Sequence, residues 1–148
     1  MFRLLIAAAA VAVGAWALLR KKGLLPHGHP RNTRTTIVIG GSASHPVITR
    51  QPETLNAHRG EELIWDVRNE TSAPQEISLR NFKRRGEPPP GPPLEKPDEQ
   101  RKVTVGQTAE IRDRVRGNAK GGTYKYDIHL NGQLAVDPDV VIWEEGGG

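Results

Sequence analysis

The chain of 148 residues contains no cysteine. That excludes disulfides, cysteine-ligated zinc, iron–sulfur clusters and any thiol nucleophile, and it leaves the redox compartment unreadable. Methionine occurs only at Met1. Beyond the first 20 residues or so no stretch carries the 3.6-residue apolar period of an amphipathic helix. A basic excess is also missing where it would matter. The formal charge of +4 divides into +6 from Arg3, Arg20, Lys21, Lys22, Arg31 and Arg34, with no acid among residues 1–34, and −2 from 15 basic and 17 acidic side chains thereafter. The high pI therefore belongs to the N-terminal segment, and no nucleic-acid partner is expected.

What is present begins with an apolar run. Residues 4–19 (LLIAAAAVAVGAWALL) are uncharged, preceded by Arg3 and followed by Arg20-Lys21-Lys22. As a helix the run would be about 24 Å long, short of a hydrocarbon core of about 30 Å but extensible by snorkelling basic stems. Residues 1–22 read as an uncleaved transmembrane anchor, with Leu4, Leu5, Ala8, Val11, Gly14, Trp16 and Leu19 in the bilayer. The competing reading is a signal peptide cleaved after Ala15-Trp16-Ala17. Such a cut would leave Leu18-Leu19 before a cationic triplet, an unusual start for a mature chain. The basic C-terminal flank alone would put the following domain in the cytoplasm. Residues 23–34 (GLLPHGHPRNTR) read as a tether.

The remainder reads as short strands separated by turns. The β-branched run 35–39 stops at Gly40-Gly41; the run 46–49, the pair Leu55 and Ala57, and the run 63–67 follow. Ile77, Leu79 and Phe82 mark the next strand, and residues 102–105 and 109–115 two more. Then comes 121–143 (GGTYKYDIHLNGQLAVDPDVVIW), in which Tyr124, Tyr126, Ile128 and Leu130 share one face. Its Asn131-Gly132 is a strong hairpin signal, because both residues tolerate the positive φ of a type I′ turn. Seven or eight short strands predict an antiparallel sandwich or Greek-key barrel over residues 35–143, with 144–148 a tail. Residues 83–101 (KRRGEPPPGPPLEKPDEQR) interrupt the pattern with six of the 12 prolines, too many for a helix or a core strand.

Three pieces resemble the cupredoxin family: residues 60–69 (GEELIWDVRN), a turn glycine, a strand with a buried aromatic and an asparagine; residues 104–108 (TVGQT), a later glycine turn; and residues 122–126 (GTYKY), a Gly-x-Tyr-x-aromatic strand. The resemblance implies a cupredoxin-like Greek-key β-sandwich. A blue-copper site needs two His, one Cys and a weak axial ligand, often Met. On the family's pattern these positions are held by Gln75, Ile128, Asn131 and one of Leu134, Ala135 and Val136. No ligand is present, so the expectation is a metal-free member of the fold, with no metal and no cofactor.

Other candidate sites are weak. His27 and His29 lie on the tether with no third ligand; His45 and His58 sit beside turns; His129 neighbours Asp127 on the strand face opposite the tyrosines. Asp137-Pro138-Asp139 lacks the oxygen ligands of a calcium loop and reads as a turn. Glu61-Glu62 and Asp98-Glu99 read as surface charge, and Ser42 and Ser44 lack a nucleophile's setting. No catalytic constellation emerges, so the chain is not expected to be an enzyme.

The proline-rich excursion is the feature that points to a partner, since extended proline segments dock at low entropic cost. The candidate contact residues are Arg84, Arg85, Pro88, Pro89, Pro90, Pro92, Pro93 and Trp143. The expected role is a non-catalytic accessory or scaffolding subunit. Its anchor would pack through Ala7-Ala8-Ala9-Ala10 and Gly14 against helices of a membrane protein complex. The resemblance implies an extracytoplasmic domain and, as the setting, a respiratory or photosynthetic electron-transfer complex. The alternative is a periplasmic metal-handling or sensing protein with a non-blue histidine site.

Overall fold

The structure, a computed structural model, describes residues 32–86 and 91–144. The N-terminal run, with its anchor residues from Leu4 to Leu19 and the histidines at 27 and 29, lies outside the described residues, as do Pro88, Pro89, Pro90 and the last four residues. The described residues form ten strands: β1 (Asn32–Gly41), β2 (Pro46–Arg50), β3 (Leu55–His58), β4 (Glu62–Asn69), β5 (Gln75–Arg84), β6 (Lys102–Val105), β7 (Thr108–Arg114), β8 (Gly122–Leu130), β9 (Gln133–Val136) and β10 (Asp139–Trp143). One sheet has the order β2-β1-β4-β7; the other has β3-β10-β8-β5-β6, with β9 paired to β8. Among the described residues no helix is long and apolar enough to cross a membrane.

The sandwich forms because strand alternation sends one apolar face of each sheet inward. In β8, Tyr124, Tyr126, Ile128 and Leu130 are buried and the residues between them are half-exposed. They meet Ile37, Ile39, Leu63, Trp65, Val67 and Ile111 from the other sheet in one core cluster. The centre of that cluster is aromatic. Phe82 stacks on Tyr126 at 4.7 Å, Trp65 stands edge-on to both at 6.2 and 6.0 Å, and the Trp65 indole N–H donates to the Tyr126 hydroxyl at 3.0 Å. Burial pushes the Tyr126 phenol far above its ordinary pKa, only partly offset by that bond.

Two pairings are parallel, β1 with β4 and β3 with β10. Parallel neighbours require crossovers between the sheets rather than hairpins. They also give the sandwich an axis. Asn32, Glu62, Trp143 and His58 end their strands at one pole; Gly41, Asn69, Gln75 and Leu130 lie at the other.

Two local features depart from the strand pattern read in the sequence. β1 begins at Asn32 rather than Thr35, because Asn32 and Thr33 pair with Glu62 and Leu63 of β4. The Asn131-Gly132 turn (φ 49° and 80°) joins β8 to the short β9, a strand the apolar pattern does not mark since Leu134 and Ala135 are exposed. The β10 strand pairs with β8 lower down, from Asp139 opposite Lys125 to Ile142 opposite Gly122.

Candidate functional site

The resemblance directs attention to the pole that holds Gln75 and Asn131. Gln75 opens β5 and is 2% exposed; Asn131 begins the turn after β8. The two side chains bond to each other, Asn131 Nδ2 donating to Gln75 Oε1 at 2.7 Å. Gln75 Nε2 donates to the Ala43 carbonyl and to Thr71 Oγ1, both at 3.1 Å. Asn131 Oδ1 accepts the Glu76 amide at 2.9 Å, and the Asn131 amide donates to the Glu76 carbonyl at 2.8 Å. Beneath this pair Asn69 donates to the carbonyls of Ala73 and Val105 at 2.8 and 2.9 Å and accepts from the Thr71 amide and hydroxyl at 3.0 and 2.7 Å. The result is a clasp of neutral amides tying four loops together.

This donor set does not fit copper. It offers no thiolate and no imidazole, and the amide oxygens of Gln75 and Asn131 already accept hydrogen bonds. Ile128, where the resemblance would put a thiolate, is fully buried among core side chains, while Leu134 is 61% exposed. The sequence reading located Gln75 and Asn131 but not the bond between them, which is fixed by the antiparallel register of β5 and β8.

The three described histidines are dispersed. The His45 ring contacts Ser44 Oγ at 3.0 Å in the loop before β2, His58 ends β3 at the opposite pole, and His129 Nε2 stands 4.0 Å from Asp127 Oδ2. Among the described residues no group of three or more histidines, aspartates or glutamates is placed to hold a metal ion. Ser42 Oγ meets Ser44 Oγ and accepts the His45 amide, an arrangement that closes a turn. Asp137 bonds Lys125 and Asp139 bonds Arg85, so both carboxylates of the Asp-Pro-Asp corner have cationic partners.

The proline-rich excursion is partly built into the fold. Pro93 and Leu94 are buried, Leu94 bridges Val115, the Glu95 amide donates to the Arg114 carbonyl, and the Arg116 amide donates to the Pro93 carbonyl. Pro92 and Pro93 wall a groove of about 290 Å³ with Phe82, Leu94 and Arg101. Arg84 and Arg85 end β5 and begin the turn after it, and Arg85 pairs with Asp139 at 3.0 Å. Trp143 is 53% exposed at the end of β10.

The excursion closes on an ion pair that the sequence reading missed. Arg101, 3% exposed, donates to Asp113 Oδ2 at 2.8 Å, to the Leu79 carbonyl at 3.2 Å, and to Asp98 and the Lys96 carbonyl. Its guanidinium lies over Phe82 at 4.8 Å. Asp113 also accepts the amides of Lys96 at 3.0 Å and Arg114 at 2.7 Å. A signal was available: Asp113 alternates with Ile111 and Val115, so it occupies an inward position of β7. With no nucleophile beside it and every partner committed, the cluster staples the excursion to the core.

No family model and no curated protein matches this chain. Among solved structures it is similar to the 2F4 variant of the multicopper oxidase McoA from the hyperthermophile Aquifex aeolicus. The identity is 15% and the TM-score 0.46, over 80% of this chain and 31% of that one.

Proposed function

We propose that the chain is a membrane-anchored, cupredoxin-like accessory subunit that performs no chemistry of its own and docks on the extracytoplasmic face of a membrane protein complex. An electron-transfer complex is the first setting to consider. The observation that carries this reading is the Gln75–Asn131 clasp. Where the resemblance puts a redox metal, the chain invests two neutral amides in holding loops together. The two strand orders and the parallel β1–β4 pair support the cupredoxin-like reading of the sandwich. The apolar run at residues 4–19 supports the anchor. The metal-handling alternative draws on His27 and His29, which lie outside the described residues, and the three described histidines, His45, His58 and His129, stand apart from one another.

The test is purification of the tagged protein in mild detergent, with mass spectrometry of its partners and of its own N-terminus. Stoichiometric membrane subunits together with an intact first 20 residues are expected. A processed, soluble monomer refutes the reading. The contact role of the excursion needs substitution rather than deletion, because removing 83–101 also removes the buried Leu94 and Arg101. Alanine at Pro88, Pro89, Pro90 and Pro92 is expected to weaken co-purification and leave the fold intact.

A further inference from the structure

The pole at which the N-terminal segment joins the sandwich carries an exposed tryptophan and a cluster of cations. Asn56 of β3 links the two features: its backbone carbonyl accepts the hydroxyl of Thr33 at the start of β1 (3.1 Å), and its side-chain oxygen faces the Trp143 indole N–H at 3.4 Å. Trp143 thus stands beside the point where the chain arrives from residues 1–31. Next to it, Glu144 gathers positive charge. Arg59 bridges it at 2.9 Å, the Gly121 amide donates to it at 2.9 Å, and Arg84 and Lys120 act on it through space; the Gly121 bond, then these cations, hold its carboxyl below the usual range. The connections 59–61 and 115–121 at this pole carry Arg59, Arg116 and Lys120 against Glu61, and the connection 85–101 that leaves it carries Arg85, Lys96 and Arg101 against Glu87, Glu95, Asp98 and Glu99. Those at the opposite pole, 42–45, 70–74, 106–107 and 131–132, contain a single charged side chain, Glu70.

Chain length sets how far this pole can stand from the anchor. Nine residues, 23–31, separate Lys22 from Asn32. Fully extended they span about 30 Å; as a flexible chain they span about 15–18 Å. A tryptophan with one apolar and one polar edge favours the headgroup level of a bilayer. Arginine and lysine beside it favour anionic lipid.

We infer that this pole lies against the bilayer, with Trp143 at the headgroup level and the exposed Lys120 beside it facing anionic phospholipid headgroups. The inference rests on the anchor reading above and adds the orientation of the domain on the membrane. The far pole, with the amide clasp, then points away from the lipid.

The test uses the full chain carrying Trp16→Phe, reconstituted into vesicles of brominated phosphatidylcholine with or without phosphatidylglycerol. Trp65 is fully buried, so lipid quenching reads Trp143. Loss of the Trp143 component of the emission is expected, larger with phosphatidylglycerol, reduced by Lys120→Gln and absent in a Trp143→Phe variant. A chain that floats with the vesicles while Trp143 stays unquenched overturns the inference and leaves the anchor standing. Equal quenching with and without phosphatidylglycerol overturns the role of Lys120. A chain that does not float overturns the anchor and the inference together. Shielding of Trp143 from acrylamide only in the co-purified complex assigns the pole to a protein partner and overturns contact with lipid.

Discussion

Replacing Asp113 by alanine tests the energetics of the excursion most directly. The substitution leaves the Arg101 guanidinium, 3% exposed, with Asp98 as its remaining carboxylate, and it strips the Lys96 and Arg114 amides of their acceptor. Removing one partner of a buried ion pair costs about 3–5 kcal/mol. At roughly 4 °C per kcal/mol for a domain of this size, that lowers Tm by about 12–20 °C. Arg101→Met leaves Asp113 buried with its two amide donors and is expected to cost a similar amount. The double variant removes both charges, so its cost is expected to fall short of the sum by about 2 kcal/mol or more, near the upper end for contacting residues. Urea denaturation followed by Trp65 fluorescence, in a Trp16→Phe, Trp143→Phe background, gives all four corners of the cycle. Additivity within about 0.5 kcal/mol would refute the claim that the two side chains act as one buried unit.

Two further outcomes concern a buried hydrogen bond and three surface carboxylates. Tyr126→Phe removes the hydroxyl that accepts the buried Trp65 indole N–H and is expected to cost about 1–3 kcal/mol in the same denaturation assay; a neutral result would show that the indole finds another acceptor. Glu110 is held below the usual carboxylate range by its hydrogen bond from Arg112, Glu144 by the Gly121 amide, and Asp137 by Lys125. Groups whose folded pKa is depressed stabilise the fold above their unfolded pKa and lose that contribution as pH falls through the folded value. The urea midpoint is therefore expected to drop modestly below about pH 4, with a shallower drop in Glu144→Gln, and a midpoint that rises in that window would contradict the assignment.

The strands that alternate cleanly were legible in the sequence. Those of β8 and β4 announce themselves through Tyr124, Tyr126, Ile128, Leu63, Trp65 and Val67, because a period of two is a local property. The Asn131-Gly132 turn was legible for the same reason. What a single sequence could not supply was contact across distance. The bond between Gln75 and Asn131 depends on the β5–β8 register, and the junction of Arg101 with Asp113 depends on how a proline-rich segment folds back over β7. The sequence marks the excursion as an extended proline-rich docking segment rather than part of the core, because only Leu94 in it is apolar enough to signal burial. The order of its described part comes from backbone bonds and the two ion pairs of Arg101, which leave little mark in composition.

The parallel β1–β4 ladder has a mechanical consequence. From Asn32 opposite Glu62 to Ile39 opposite Asn69, β1 lies alongside β4 with Asn32 at the pole nearest the preceding chain. A pull on Asn32, resisted by a partner gripping the opposite end of the sandwich, acts along the strand rather than across it. The hydrogen bonds then bear the load together in shear instead of opening one after another like a zipper. A domain hung by its first strand in this way can transmit force between a tether and a bound neighbour without peeling apart from the attached end.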